Sequence, residues 1–209
     1  MVQVYEAGDP GAGERLGPQV RAALAAALRQ HARTPGQPLL IRVEGDAWCH
    51  EPDDLAQSVV RGQLHDLVLR MHAAPGPVIV HLTGAVRGLG LGLALAADLR
   101  VATPTATFAA GPPAAFLAGG VGQLLAGVAG TGVLAHLAWT GVTLTADEAL
   151  HRGLVGSVSA DPQAGTVLAG QVAAVGAGTA SALARALRSR SQPDLTAALD
   201  YESWLAGVE

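Results

Sequence analysis

Apolar residues along the chain change period several times, and each change marks an element. From Pro18 to Arg33, Val20, Leu24 and Leu28 recur at spacing four, which predicts a helix with Pro18 suited to its first turn. "PLLIRVEG" (38–45) and "PVIVHLTG" (77–84) are β-rich runs that open on Pro and close on Gly, as buried strands do. Between them, residues 54–73 set Leu55, Val59, Leu64, Leu67, Val68 and Met71 along one helical stripe, with Asp53 placed as its N-cap. Strand, helix and strand are followed by the glycine turn and apolar helix of "LTGAVRGLGLGLALAADLR" (82–100). That order implies a parallel α/β arrangement with right-handed crossovers.

A short strand in "LRVAT" (99–103) leads into "FAAGPPAAFLAGGVG" (108–122), a loop without a charged side chain. "GVLAHLAWTG" (132–141) reads as a helix, and "TLTADEALHRGLVGSV" (143–158) as a capped one. There Thr145 and Glu148 have capping-box spacing, Asp147 and Glu148 sit where the helix dipole favours negative charge, and Gly153 holds the C-terminal cap position. From about residue 163 the chain reads as Ala-rich helices, with Arg185, Arg188 and Arg190 on a solvated face. No internal repeat or long linker divides it, so an α/β core over 1–160 and a helical C-terminal segment over 161–209 are expected.

Composition narrows the chemistry. The 209 residues include no Lys and no Asn, so all 13 basic residues are Arg. Schiff-base lysine, lysine base and P-loop lysine chemistry are therefore excluded. The single cysteine, Cys49, excludes an internal disulfide and a Cys-rich metal site, and itself reads as a small buried apolar residue. A net charge of −4 without basic clusters argues against nucleic acid as a partner. Apolar runs are broken well before the ~20 residues of a membrane span, and the N-terminal stretch lacks the layout of a secretion signal, so a cytoplasmic location is expected.

The turn "TGAVRGLG" (83–90) can be read in two ways, because a phosphate and a carbonyl oxygen are both held by backbone N–H groups at a helix start. It fits the Thr-Gly-x-x-x-Gly-x-Gly loop of short-chain dehydrogenases. That family also needs a downstream Tyr-x-x-x-Lys pair, whereas here Tyr201 is followed by "ESWL" and no lysine exists. The wider context, "GPVIVHLTGAVRGLGLGLALAADLRVATPTATF" (76–108) and "GGVGQLLAGVAGTGVLAHLAWTGVTLTADEALHRGLVGSV" (119–158), resembles the enoyl-CoA hydratase/isomerase (crotonase) family in order and spacing. Weaker similarity covers 18–60 and 180–205.

That resemblance implies a crotonase (ClpP-like) α/β fold of repeated ββα units, with a C-terminal region shortened before the family's final helix. It implies an acyl thioester of coenzyme A (or of an acyl carrier) as ligand, no tightly bound cofactor and no metal, with the carbonyl polarised by two backbone N–H groups so that an enolate can form. One donor falls on His50 in "WCHEPDD", where Glu51 replaces a usual glycine, and the other on Leu89 in "GLG". The two glutamates that hydratases use to activate water and deliver a proton fall on Gly92 and on Gly111 or Pro112, none of which carries a proton. Gly119 and its neighbours offer no aspartate of the kind that naphthoate synthases supply there. Decarboxylation, isomerisation or condensation is therefore expected in place of hydration, in specialised or acyl-CoA metabolism. His50 and Glu51 are the acid/base candidates, while Cys49, His81 and Arg87 also fall near the implied pocket. Each has a plain reading too: Glu51 as a surface acid, His50 as a cover for the pocket mouth, His81 as a hydrogen-bonded core histidine. Asp98 and Arg100 match a structural Asp-Ile-Arg that ties helix to strand. With no lysine, coenzyme A phosphates fall to Arg or backbone. A homotrimer, or a hetero-oligomer with a crotonase or synthase partner, is implied. The alternative is a non-catalytic accessory subunit supporting a polyketide-type synthase or a catalytic crotonase.

Overall fold

Both β-rich runs form strands in the computed structural model, which describes residues 2–7, 16–49, 58–111, 119–191 and 195–205. In chain order the elements are β1 (Gln3–Ala7), α1 (Pro18–His31), β2 (Leu39–Val43), α2 (Ser58–His72), β3 (Val78–Leu82), β4 (Ala85–Arg87) and α3 (Leu89–Ala96). Then come β5 (Leu99–Ala102), β6 (Thr107–Ala109), α4 (Val121–Ala129), α5 (Thr131–Thr140), β7 (Leu144–Thr145), α6 (Ala146–His151), β8 (Ser157–Val158), α7 (Ala164–Ala174), α8 (Ala177–Ser191) and α9 (Leu195–Leu205). The larger sheet is parallel throughout, in the order β1-β2-β3-β5-β8, and a smaller one runs β4-β6-β7. β1, β8 and the whole smaller sheet were not anticipated from sequence. β4, β6, β7 and β8 are only two or three residues long, too short for a hydrophobic period to register, and β1, "QVYEA", lacks the continuous apolar run of β2 and β3. Among the described residues no single helix is long and apolar enough to cross a membrane.

The parallel register brings the C-terminal ends of three strands level, pairing Val43 with Leu82 and Leu82 with Ala102. Each chain then turns out of the sheet at nearly the same height. The Thr83 hydroxyl donates to Val43 O at 3.1 Å and accepts from Gly45 N at 3.2 Å, which laces the first two turns together. A Cβ on Gly84 would stand 2.1 Å from Gly45 O, so the two backbones approach as closely as only glycine allows.

One face of the sheet, through Ile41, Val43, Val80 and Leu82, packs on α1, α2, α3 and α4. The other, through Leu40 and Ile79, is covered by α7 at Ala169. All eight residues of α3 are buried, and each of its leucines contributes about 1.5–3 kcal/mol by leaving water. Pro18 occupies the first turn of α1, whose Val20, Leu24 and Leu28 are buried as the spacing implied. The stripe on α2 needs one correction: Val59 is 70% exposed, and Val60, one turn before Leu64, is buried in its place. Leu55 and Asp53 lie outside the described residues. The Thr145–Glu148 capping box is present in both directions, and the hydrogen bonds to Thr145 hold the Glu148 carboxyl below its usual range. Gly153, at φ +79°, closes α6.

Arg188 corrects the expectation of a solvated basic face. The residue is 7% exposed on α8, and Nε and Nη2 donate to the Asp98 carboxylate at 2.8 and 2.5 Å. Nη1 and Nη2 also donate to the carbonyls of Ala74 and Gly76. A guanidinium with that many acceptors can leave water, whereas its neighbour Arg185 stays exposed. Asp98 in addition accepts from Val78 N at 2.7 Å, and Arg100 donates to the carbonyls of Ala97 and Leu154, so both residues tie helix end to strand as the resemblance implied. Arg188→Ala, which strands the Asp98 carboxylate, is expected to lower the unfolding free energy by about 3–5 kcal/mol in urea titrations. A loss within ~1 kcal/mol would mean that the clasp is not holding α8.

Candidate functional site

α3 begins directly after β4, and its start is fixed by backbone alone. Gly88, at φ 55° and ψ −121°, is the N-cap, and its N–H donates to Ala109 O at 3.1 Å. A helix leaves its first N–H groups without intrahelical partners. Here Leu91 and Gly92 N–H donate back to Gly88 O at 2.9 and 3.3 Å, while the Leu89 and Gly90 N–H groups meet no acceptor among the described residues. Two such N–H groups at the positive end of a buried helix are of the kind that can hold an anion, and Leu89, which the resemblance names as a carbonyl donor, carries one of them.

The segment leading to residue 50 is fastened beside this helix start. Trp48 bridges Val86 in parallel fashion, and its carbonyl accepts Arg87 N–H at 3.2 Å. The Asp46 carboxylate accepts Ala85 N–H at 3.2 Å, and the buried Cys49 Sγ donates to Ala85 O. A Cβ on Gly90 would lie 1.7 Å from Trp48 O, so that approach too depends on glycine. His50 and Glu51 themselves lie outside the described residues, as does Pro112. Gly111 is described, at φ +81° after β6, and like Gly92 carries no proton donor.

Gly92 lies on the second turn of α3, and its missing side chain has not left a void. A Cβ there would stand 2.4 Å from Gly119 O and 3.3 Å from Val121 Cγ2. The Gly119–Gly120 turn, with φ near +70° at both residues, therefore occupies the space into which a side chain at 92 would project. The same turn closes on Leu89, since a Cβ on Gly119 would come within 2.8 Å of Leu89 Cδ2. Gly119 N–H donates to His65 Nε2 at 3.0 Å. Accepting that bond requires a neutral imidazole with its proton on Nδ1. Half-burial pushes the His65 pKa down, Arg61 pushes it further, and Asp200 opposes them, so the neutral form is favoured.

His65 and the Gly119 turn were missed from sequence. A signal existed, because Arg61, His65 and His72 follow one another at spacings of four and seven along the edge of the α2 stripe, and nothing in that spacing says what they face. His81 is not at the site. Leu82 and Val80 face α3, whereas His81 points to the other side of the sheet, where a Cβ on Gly165 of α7 would lie 2.9 Å from its Cβ. It is buried as expected of a core histidine, but its Nε2 finds no partner among the described residues, and burial first and Arg42 second lower its pKa. Arg87 is exposed on β4.

The sequence matches the enoyl-CoA hydratase/isomerase family over residues 47–205. Cyclohexa-1,5-dienecarbonyl-CoA hydratase of Thauera aromatica is 31% identical over 196 residues, covering 87% of this chain and 75% of its own. The crystal structure of enoyl-CoA hydratase from Thermoplasma volcanium GSS1 superposes with a TM-score of 0.80 at 25% identity, over 99% of this chain and 88% of its own. That of enoyl-CoA hydratase/isomerase from Pseudoalteromonas atlantica T6c gives 0.85 at 22% identity, over 99% and 87%, a likeness of fold.

Packing at Gly92 predicts opposite signs for two Gly→Ala changes in urea titrations. Gly170→Ala, at an exposed position of α7 with nothing within 4 Å of the new methyl, should stabilise by about 0.5–1 kcal/mol. Gly92→Ala should destabilise by about 1–3 kcal/mol despite the better helix propensity, because the methyl meets backbone. Equal gains at both sites would mean that the Gly119 turn does not press on α3.

Proposed function

The chain belongs to the enoyl-CoA hydratase/isomerase family, and from that premise we propose that it binds an acyl thioester of coenzyme A with the carbonyl oxygen at the start of α3. The observation that carries this reading is the pair of N–H groups at Leu89 and Gly90 that meet no acceptor among the described residues, set beside the segment that leads to residue 50. The thioester oxygen accepts from Leu89 N–H and from the N–H of His50, and the donors lower the energy of the enolate that develops there. Such a pair contributes several kcal/mol when preorganised out of water.

Enolate chemistry that needs no protein base suits this site best. Positions 92 and 111 are both glycine, so the water activation and proton delivery of ordinary hydration have no side chain to perform them there. Loss of carbon dioxide from a 2-carboxyacyl (malonyl-type) thioester meets that limit. The bond from the α-carbon to the carboxylate breaks, its electron pair passes into the enolate, and solvent or His50 or Glu51 returns a proton to the α-carbon. Isomerisation and condensation require one of those two side chains to remove a proton first. The name of the Thauera aromatica relative favours a cyclic, unsaturated acyl group as a second substrate class. A non-catalytic accessory role, in support of a synthase or a catalytic crotonase, is favoured by the Gly119 carbonyl standing where a side chain at 92 would work.

The N–H at Leu89 can be removed without removing the helix, because proline is tolerated at a first helical position. Leu89→Ala loses the same buried packing and keeps the donor. On a panel of malonyl-type and cyclic dienoyl-CoA thioesters, Leu89→Pro is expected to turn over about 10²- to 10³-fold more slowly than Leu89→Ala. Equal rates would remove Leu89 N–H from the mechanism. Saturable binding of the panel by the native protein without any turnover would decide for the accessory role.

A further inference from the structure

The turn that fills the place of a side chain at 92 is held from two sides. On one side it rests on α3, where only glycine at 92 and 119 permits the contact. On the other, Gly119 N–H donates to His65 Nε2 on α2, and a Cβ on Gly120 would meet Leu199 Cδ2 of α9 at 3.1 Å and Leu124 of α4 at 3.3 Å. The Gly119 peptide thus lies between His65 and the residue whose N–H is the proposed oxyanion donor, within van der Waals reach of the Leu89 side chain. Moving it would alter the packing against Leu89, the residue that the reading above puts beside the thioester carbonyl.

We propose that His65 is a positioning residue for the oxyanion site, holding the Gly119 turn against the first two turns of α3 so that a backbone carbonyl, in place of an acid side chain, forms the inner wall of the acyl pocket. This rests on the thioester reading. The bond is of a kind that histidine serves well, since a neutral imidazole offers one acceptor nitrogen on a short, stiff side chain. Among the described residues, the charged groups that act on it are Arg61 on its own helix and Asp200 on α9. α3 and α4 carry none, and Arg21 of α1 donates instead to Gln63 Oε1. Nothing here makes His65 a proton donor to substrate. Its ring nitrogen is engaged by the backbone, and its effect reaches the ligand through Gly119.

The experiment compares His65→Leu, which removes the acceptor at similar volume, with His65→Gln, whose amide oxygen can reach the same N–H. Affinities for acetyl-, butyryl- and benzoyl-CoA are measured by calorimetry, with free coenzyme A as reference. The expected result is a loss of about tenfold or more in acyl-CoA affinity for His65→Leu, little change for free coenzyme A, and recovery to within about threefold in His65→Gln. Weakening of acyl-CoA and free coenzyme A alike would mark a merely structural role and overturn the inference. So would unchanged affinity in both variants. Should His65→Leu fail to fold, the ¹⁵N-resolved amide of Gly119 in the native protein is followed against pH. It is expected to shift as His65 takes up a proton below about pH 6.5, the ordinary histidine value, and to be flat there in His65→Gln. A flat native response overturns the inference. If the native protein binds none of the thioesters, the thioester reading fails and takes this inference with it. Binding unaffected by His65→Leu removes the inference alone.

Discussion

Backbone contact between two turns organises the molecule. The parallel register of β2, β3 and β5 brings Val43, Leu82 and Ala102 level, so the chains leaving β2 and β3 must pass each other at one height. They do so because Gly84 lets Gly45 O approach and Gly90 lets Trp48 O approach, each closer than a Cβ would permit. Two consequences follow. β4 is fixed by hydrogen bonds to the 46–49 segment, and α3 starts immediately after it with two N–H groups that meet no acceptor among the described residues. Glycine inside a helix costs about 1 kcal/mol against alanine, and at Gly90 and Gly92 that cost is offset by packing no alanine could make.

The remaining structure supports that helix start. α3 is buried along its whole length between α2, α4 and the sheet, so its apolar surface fixes where its first turn lies. Its far end is held by Asp98, which caps Val78 N–H and grips Arg188 of α8, bringing the C-terminal helices into the same network. With no lysine in the chain, buried cationic ties of this kind fall to arginine, whose planar fork can satisfy a carboxylate and two carbonyls together.

Much of this was legible beforehand, for physical reasons that differ by element. Strands β2 and β3 are continuous apolar runs bounded by Pro and Gly, and α1 carries a strict period, so burial is written into them. The capping box at Thr145 and the glycine after α6 are local chemistry that tertiary packing does not override. The helix start at Leu89 was legible through a glycine turn followed by an apolar run, whereas "TGAVRGLG" alone fits a phosphate loop as well and does not say what the turn holds. Three things were not legible. Arg188 looked solvated because the acceptors that bury it, at Ala74, Gly76 and Asp98, are at least 90 residues away in the chain. His65 looked like the polar edge of a helix because Gly119, 54 residues on, is what it faces. Gly92 read only as a missing acid, and the backbone that takes the vacated space came from a loop with no signal of its own.

The account stands on polarisation of a thioester carbonyl by the first turn of α3. The most direct measurement is the infrared carbonyl stretch of [1-¹³C]butyryl-CoA bound to the protein, isolated by isotope-edited difference against the unlabelled thioester. Hydrogen bonds from preorganised N–H groups weaken the C=O bond, so the account predicts a bound band at lower wavenumber than in water, returned towards the free value in Leu89→Pro. A bound band at or above the position seen in water would contradict it.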